Sequence, residues 1–469
     1  MLKNKEGLII MTTPTSNVKS NEEMLAKSTI ENDDTPELKL PFWQANMWLF
    51  VLWAMHLIDV MDRYALSATL PMIKQAYQLT DAQAGMLGSI FGVSIVIFVI
   101  PTGMIAYKWS RRKVCAIMVA LWSIATWGTG LAKGYFPLLA ARFGVGVGEA
   151  GYIPVAYSLI SAWYPKSKRG TMMGWFYSGS QVGATVGLMV AGWLAYTYGW
   201  KACFGIMAVP GLILAAIGWF MPDFKNKIDT TVKEVEQAGS TKKSLNLGLK
   251  DAFIYTVKSP AVLCSFLITG CLMLGTTSMS IWGITLFTRT FGMNVKQAST
   301  FVGFIGIIAV TVPILMGWVS DRLQIKNKEG RLTASFLFVT GFLLSIIIFT
   351  QNSLYAKSLV VAFIFFGLAK AFVISGMSNI NSVTQDLLPP FYRSVSSTFI
   401  PVANQGIGGV AGPVLCGVLS DACGINMALA YVSTIAFILV MVLTMLCKKF
   451  YKKDREKLES LGSFNLERG

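Results

Sequence analysis

Seven ionisable side chains stand in stretches of chain too apolar to tolerate them casually. His56, Asp59, Asp62 and Arg63 share one hydrophobic run, Arg142 and Glu149 a second, and Lys370 lies in a third. Placing a charge in hydrocarbon costs at least about 2.5–3.5 kcal/mol on insertion scales, so each group needs a partner or a task. Asp59 precedes Asp62 by three residues and Arg63 by four, which puts all three on neighbouring positions of one helix face. Arg142 and Glu149 are seven apart, two turns along one stripe. Burial lets a carboxylate hold a proton near neutral pH, whereas a guanidinium stays charged and matches a carboxylate or phosphate with two parallel hydrogen bonds. The three acids and two arginines of the first two runs sum to −1 when all are ionised, so one proton neutralises the set and a second makes it positive. Proton uptake there favours the arrival of an anion. We expect Asp62 and Glu149 to carry protons, with Asp59 a second acid of the pocket or a local partner of Arg63. Arg63 and Arg142 are expected to take an anionic ligand or, without it, one of the carboxylates.

Other polar residues in apolar runs are weaker candidates. His56, one turn before Asp59, is either a proton relay or, more commonly for such a residue, a packed interior ring. Lys370 either extends a ligand pocket or pairs structurally. Gln181, Asn379, Asn381, Asn404 and Gln405 are candidate neutral contacts, although polar side chains also serve as ordinary glue between helices.

The elements that must hold these groups follow from composition. The chain of 469 residues is 54% hydrophobic and only 14% charged, yet carries a formal charge of +16; ordinary soluble domains run near 25% charged. The basic residues lie between and beyond the long apolar runs rather than along one face, which argues against a nucleic-acid partner. Twelve runs are long enough to span a bilayer as helices: 46–73, 82–107, 112–132, 136–163, 169–197, 200–220, 259–288, 296–319, 332–350, 357–385, 393–420 and 425–447. They are far longer than the roughly 10-residue alternating strands of a membrane barrel. The first and fourth runs point in opposite directions, and at 1.5 Å per residue both Asp59 and Glu149 fall about 20 Å from their helix starts, near the middle of a core about 30 Å thick.

Alternate short loops hold nineteen Lys and Arg on one side and six on the other. The positive-inside rule then puts both termini in the cytoplasm. Residues 1–41 are polar, with five Lys against seven acids, and read as a disordered cytosolic tail rather than a secretory signal. Residues 222–258 form the one long internal connection and suit a cytosolic linker; residues 448–469 form a basic cytosolic tail. The linker divides the chain into halves, 42–221 and 259–447, of six helices each. The halves look duplicated: Pro165 and Arg169 answer to Pro389 and Arg393, and Gly192 and Gly199 answer to Gly417 and Gly424, with offsets of 224 or 225. Glycines about four apart on the fifth run (Gly179, Gly183, Gly187, Gly192) and the eleventh (Gly408, Gly412, Gly417) permit close helix approach, either within a half or between halves that rock. The seven cysteines have no metal-ligand spacing and read as buried thiols. There is no phosphate-binding loop; Gly144, Gly146 and Gly148 lack the strand-turn-helix setting of a dinucleotide site, and one histidine makes zinc a poor fit. We expect no enzyme activity and no cofactor.

Over residues 42–447 the chain resembles the major facilitator superfamily. The resemblance rests on the six-plus-six plan and on the loop motif Gly-x-x-x-Asp-Arg followed by basic residues. The second copy matches as Gly317, Asp321 and Arg322 with Arg331 downstream; the first has Gly103, Lys108, Arg111 and Arg112, but Tyr107 stands where the acid is expected. In the family this acid latches the outward-facing state against the eleventh helix, which puts that latch in doubt here. Two branches match. Asp59-Val60-Met61-Asp62-Arg63-Tyr64 and Gly146-Val147-Gly148-Glu149-Ala150 resemble the spinster-like lipid transporters. The Asp62-Arg63 pair, the Arg142-to-Glu149 spacing and Trp163-Tyr164-Pro165 resemble the anion:cation symporters. The resemblance implies an all-α integral membrane fold with the site between two pseudo-symmetric halves, and the same roles for Asp62, Arg63, Arg142 and Glu149. It implies alternating access with an organic anion and protons as partners; the alternatives are a lysolipid or similar amphiphile, or a non-transporting membrane sensor. A sensor would be expected to carry a sizeable soluble domain. We expect a monomer in a plasma membrane, bacterial inner membrane above all.

Overall fold

The computed structural model describes Leu38 and residues 40–224, 259–326, 329–388 and 399–466. The first tail, the linker and the Pro389–Arg393 end of the repeat lie outside the described residues, apart from Leu38, Leu40 and Pro41 of the tail and the linker's first three positions. Twelve rods follow one another: α1 Phe42–Tyr77, α2 Asp81–Lys108, α3 Arg111–Leu131, α4 in two segments (Tyr135–Glu149 and Tyr152–Trp163), α5 Lys166–Tyr198 and α6 Trp200–Gly218. After the linker come α7 Pro260–Phe291, α8 Val295–Lys326, α9 Gly330–Gln351 with a π turn at Asn352–Ala356, α10 Leu359–Asp386, α11 and α12 Ile425–Leu466. The described part of α11 runs Phe399–Ala403, a π-helical segment Asn404–Gly409, then Val410–Cys423. No strand occurs among the described residues.

Ten of these rods are long and apolar enough to cross a membrane on length and composition. The two that fall short are α1 and α5. α1 carries His56, Asp59, Asp62 and Arg63 in its middle, and α5 opens Lys-Ser-Lys-Arg and is rich in Gly, Ser and Tyr. Buried side chains on α1 include all three of His56, Asp59 and Asp62, so neighbouring helices cover its polar face. The chain also stays helical past 447, the expected start of the basic tail. Asp454 anchors this extension by accepting hydrogen bonds from Ser259 Oγ (2.6 Å) and Ala261 N (3.0 Å) at the start of α7.

Glycines decide how closely the rods approach. Gly179, Gly183 and Gly187 of α5 sit against Trp53, Leu57 and Met61 of α1, and Gly408 and Gly412 of α11 sit against Gly270 and Leu274 of α7. One turn or more farther out the same stripes change partner: Gly192 meets Ser299 of α8 and Gly417 meets the backbone of Asp81 on α2. The stripe serves packing within the first or last six rods along most of its length, and contact between the two sets at its outer end. Gly199 and Gly424, 225 residues apart, end α5 and α11 with the same geometry, φ 84° and ψ 157° against φ 81° and ψ 156°. Both lie in the positive-φ region that favours glycine.

The outer ends of the two sets are clasped by polar contacts. Asp81, at the start of α2, receives both terminal nitrogens of Arg289 from α7 at 2.7 Å, Ser420 Oγ from α11 at 2.7 Å, and the Lys74 ammonium from α1. Asp421 on α11 returns the gesture by accepting from the Asp81 and Ala82 backbone N–H groups, each at 2.8 Å. Ser89 Oγ adds a 2.6 Å bond to Val410 O deeper along α2 and α11. The two sets are therefore clasped at the ends that carry the α1–α2, α7–α8 and α11–α12 connections. Truncating one member of a hydrogen-bonded charge cluster across an interface costs about 2–5 kcal/mol. Asp81→Asn should accordingly shift the population toward the outward-open form by at least about 30-fold. Distances between spin labels at the two outer ends will read this, and unchanged distances would refute the clasp.

Candidate functional site

The ion cluster is built by α1 and α4. The alternating glycines of α4 let it close on its neighbours: Gly146 packs on Phe91 and Ser94 of α2, and Gly148 on Trp122 of α3. That approach delivers Glu149 to α1. The Arg63 guanidinium contacts Glu149 Oε2 through Nη2, and the same nitrogen lies 3.5 Å from Asp59 Oδ2. Two carboxylates from different helices thus share one NH2 group. Their side chains are almost fully buried, whereas Arg63 is 32% exposed. His56 Nδ1 lies 3.3 Å from the same Asp59 oxygen.

Asp62 and Arg142 occupy a second layer. Asp62 is fully buried and accepts a 3.4 Å hydrogen bond from Thr126 Oγ1 on α3. Arg142 is buried, and its Nε and Nη1 have no hydrogen-bond partner. The Arg63 and Arg142 guanidinium carbons lie 5.0 and 5.9 Å from the centre of the Phe91 ring, a cation–π arrangement that gives both arginines an electron-rich neighbour in a dry setting.

Arg63 opens onto a central cavity of about 210 Å³ walled by α1, α2, α5, α7, α10 and α11. Its polar lining comprises Tyr64, Ser67, Ser180, Gln181, Thr276, Thr277, Ser280 and Gln405, and among the described residues Arg63 is its one formal cation. Of the residues expected to bind a ligand, Arg63 and Gln181 line this space, and Arg142, Lys370, Asn379 and Asn404 do not. Asn379 instead ties three helices together. It accepts from Ser320 Oγ of α8 at 2.5 Å and donates to Arg331 O and Ser335 Oγ of α9 at 2.5 and 2.7 Å. Lys370 is buried on α10, one turn from the lining residue Ile374. Asn404 begins the π segment of α11, whose widened turn presents the next residue, Gln405, to the cavity. The hydroxyls of α7 escaped sequence reading because Thr276, Thr277 and Ser280 are ordinary helix residues singly. Their grouping within five positions on one face is the signal.

The basic loops stay within their own sets in this conformation. Arg112 donates to Met221 O at 3.1 Å, Arg111 lies over the Phe224 ring, and Ser110 Oγ donates to Asp223 at 2.6 Å, so the α2–α3 loop docks on the end of α6. Gly103 lies on α2 and Lys108 ends it. In the second copy Gly317 lies on α8, Arg322 stacks 3.7 Å over Trp318, and Arg331 pairs with Asp386 at 2.5 Å and with Asp321 at 3.6 Å. A separate apolar cleft of about 340 Å³ opens near the inner ends of α1 and α5, lined by Phe42, Asn46, Leu49, Phe50, Trp53, Met172 and Trp175.

Comparison with known proteins agrees with this architecture. The Major Facilitator Superfamily profile matches residues 52–413. The probable galactarate/D-glucarate transporter GudP of Bacillus subtilis is 24% identical over 416 residues, covering 84% of this chain and 90% of the relative. The hexuronate transporter of the same organism is 25% identical over 384 residues, covering 78% and 86%. The sialic acid transporter NanX of Escherichia coli is 24% identical over 401 residues, covering 84% and 92%. Among solved structures, an inward-facing, unoccupied bacterial homolog of the human lysosomal transporter Spinster superposes with a TM-score of 0.74 at 19% identity, covering 89% of this chain and 99% of that one. At that identity the likeness speaks to the fold. The chain belongs to the Major Facilitator Superfamily and is a membrane transporter rather than an enzyme.

Proposed function

We propose that this chain moves a small organic anion together with protons by alternating access between its two six-helix halves. The observation that carries the reading is the Arg63 guanidinium, held by two buried carboxylates yet facing the cavity. An arriving carboxylate competes with Glu149 and Asp59 for that guanidinium, and a displaced carboxylate deep in low dielectric is stabilised by taking a proton. Anion binding and protonation then assist each other. Asp62 and Arg142 contribute to the charge balance from behind the cavity wall. The cavity volume of about 210 Å³ lies below the roughly 300–1,000 Å³ of sites for drug-sized ligands, which suits a compact solute. Hydroxyls and amides around a single cation suit a hydroxylated acid, in line with the galactarate, hexuronate and sialic acid transporters among the relatives.

The apolar cleft beside α1 and α5 supports one other reading, an amphiphile whose tail lies among Phe42, Phe50, Trp53 and Trp175. Binding to purified protein separates the two. D-glucuronate, D-glucarate and sialic acid are offered beside a lysophospholipid, and at least one acid should raise the unfolding temperature, as ligands that bind only the folded state do. Stabilisation by the lysophospholipid alone would overturn the anion reading. Coupling is tested in proteoliposomes with Glu149→Gln. One proton moving down one pH unit supplies about 1.4 kcal/mol, a tenfold accumulation ratio. Loss of that proton should lower accumulation about tenfold per pH unit of gradient while counterflow exchange survives. An unchanged pH dependence would sink the proton reading.

A further inference from the structure

His56 is a charged-capable ring in a place where packing alone does not require one. It is 2% exposed, stacks on Phe176 with ring centres 4.8 Å apart and planes at 12°, and neither of its nitrogens has a hydrogen-bond partner. A phenyl ring would fill the same slot without burying two nitrogens outside hydrogen-bond geometry. The position is informative. Asn46, Leu49 and Trp53 line the cleft at the inner end of α1, and His56, Asp59 and Arg63 continue from them at spacings of three and four residues. These residues form one stripe of one helix face, running from the opening to the ion cluster.

Contacts along the stripe are continuous where protons would pass. Glu149 and Asp59 meet the same Arg63 nitrogen, and Asp59 Oδ2 lies 3.3 Å from His56 Nδ1. Of the rings around the buried imidazole, Tyr177 of α5, 6.4 Å away between centres, is the exposed one at 53%, so the nearest route from His56 to solvent runs past Tyr177. The titratable and charged groups around His56 are Asp59 and Arg63 on α1, Glu149 and Tyr152 on α4, Tyr177 on α5, and Cys115 of α3 beside Tyr152. The Tyr152 hydroxyl donates to Leu52 O at 2.6 Å and is committed there. Asp62, one turn from Asp59 on the α3 side, is held by Thr126 and lies off the stripe.

We propose that His56 and Asp59 are the release branch of the proton pathway, taking the proton from Glu149 to the inner side once the anion has left. The inference rests on the proton-coupled reading above. When Arg63 loses the substrate it draws Glu149 back, and the carboxylic acid gives its proton to the Asp59 carboxylate across the shared guanidinium. Asp59 passes it to Nδ1 of neutral His56, and the imidazolium loses the proton on Nε2 to water near Tyr177. Each transfer breaks one bond to hydrogen and forms one. The Asp59–His56 pair ends as it began, and Glu149 is left ionised against Arg63.

The test uses the full chain in proteoliposomes, with the anion that stabilises the purified protein as substrate. In His56→Gln, uptake driven by a pH gradient should slow at least tenfold, and its rate should lose its dependence on the pH of the inner face. Counterflow at equal pH on both sides, which needs no net proton release, should remain within twofold of the original protein. Phe176→Leu, which disturbs the stack but keeps the imidazole, should retain coupling. Should His56→Gln fail to fold, His56→Phe, which keeps the stack on Phe176 but carries no proton, should show the same split. Gradient-driven uptake within twofold of the original overturns the proposal. So does a parallel fall in counterflow, which marks a structural role. Glu149→Gln run alongside separates the two levels: if it loses gradient-driven uptake while His56→Gln does not, only the release branch is wrong. If Glu149→Gln keeps that uptake, the proton-coupled reading falls with it.

Discussion

A guanidinium placed at mid-bilayer has to be answered by negative charge, and most of the first six helices are arranged to supply that answer. Arg63, two-thirds withdrawn from solvent, is answered by Glu149 from α4 and by Asp59 from the preceding turn of its own helix. Breaking such a pair by removing one partner typically costs about 3–5 kcal/mol, because the other charge is left uncompensated. The glycines of α4 are the enabling feature, since a Cβ at Gly146 or Gly148 would strike α2 or α3 and hold Glu149 away. Under the proposed function an arriving anion replaces this same pairing, so stability and coupling would draw on one contact.

The two sets of helices are joined asymmetrically. The Asp81 cluster, Gly192 and Gly417 join them near one end, and Gly92 of α2 meets Gly409 and Val410 of α11 farther along. The first basic loop, which lacks the expected acid at Tyr107, docks on the end of α6 through Arg111 and Arg112. Its second counterpart pairs Arg331 with Asp386 and Asp321 on its own side. Both loops are thus occupied within their own sets.

Much of the fold is legible in the chain because hydrocarbon enforces a simple rule: backbone groups must be satisfied within a helix, so long apolar runs report helices directly. The charged residues of α1 and α4 were legible for the same reason, being too costly to be incidental. The duplicated ends at Gly199 and Gly424 could be read as a repeat, and they share one backbone geometry. Which polar residue faces the cavity was far less legible. Asn379 and Gln405 are alike in sequence terms, yet one binds three helices and the other lines the central space. Gln405 lies in a π-helical segment at Asn404–Gly409, which no simple residue periodicity announces. Arg142 shows the same limit: its type and spacing point to a ligand, but Phe91 and the packing of α4 set it behind the wall.

The clasp at Asp81 also ties the cycle to the medium outside. While clasped, Asp81 is almost wholly withdrawn from solvent, whereas its partners Arg289 and Lys74 keep about a third and a quarter of their side chains exposed. Once the outer ends part, the same groups stand in water, where the screening length at physiological ionic strength is about 8 Å. Salt therefore acts on the parted form far more than on the clasped one. By solvating the separated charges it lowers the work of parting these ends, so added salt shifts the balance from the clasped toward the parted form.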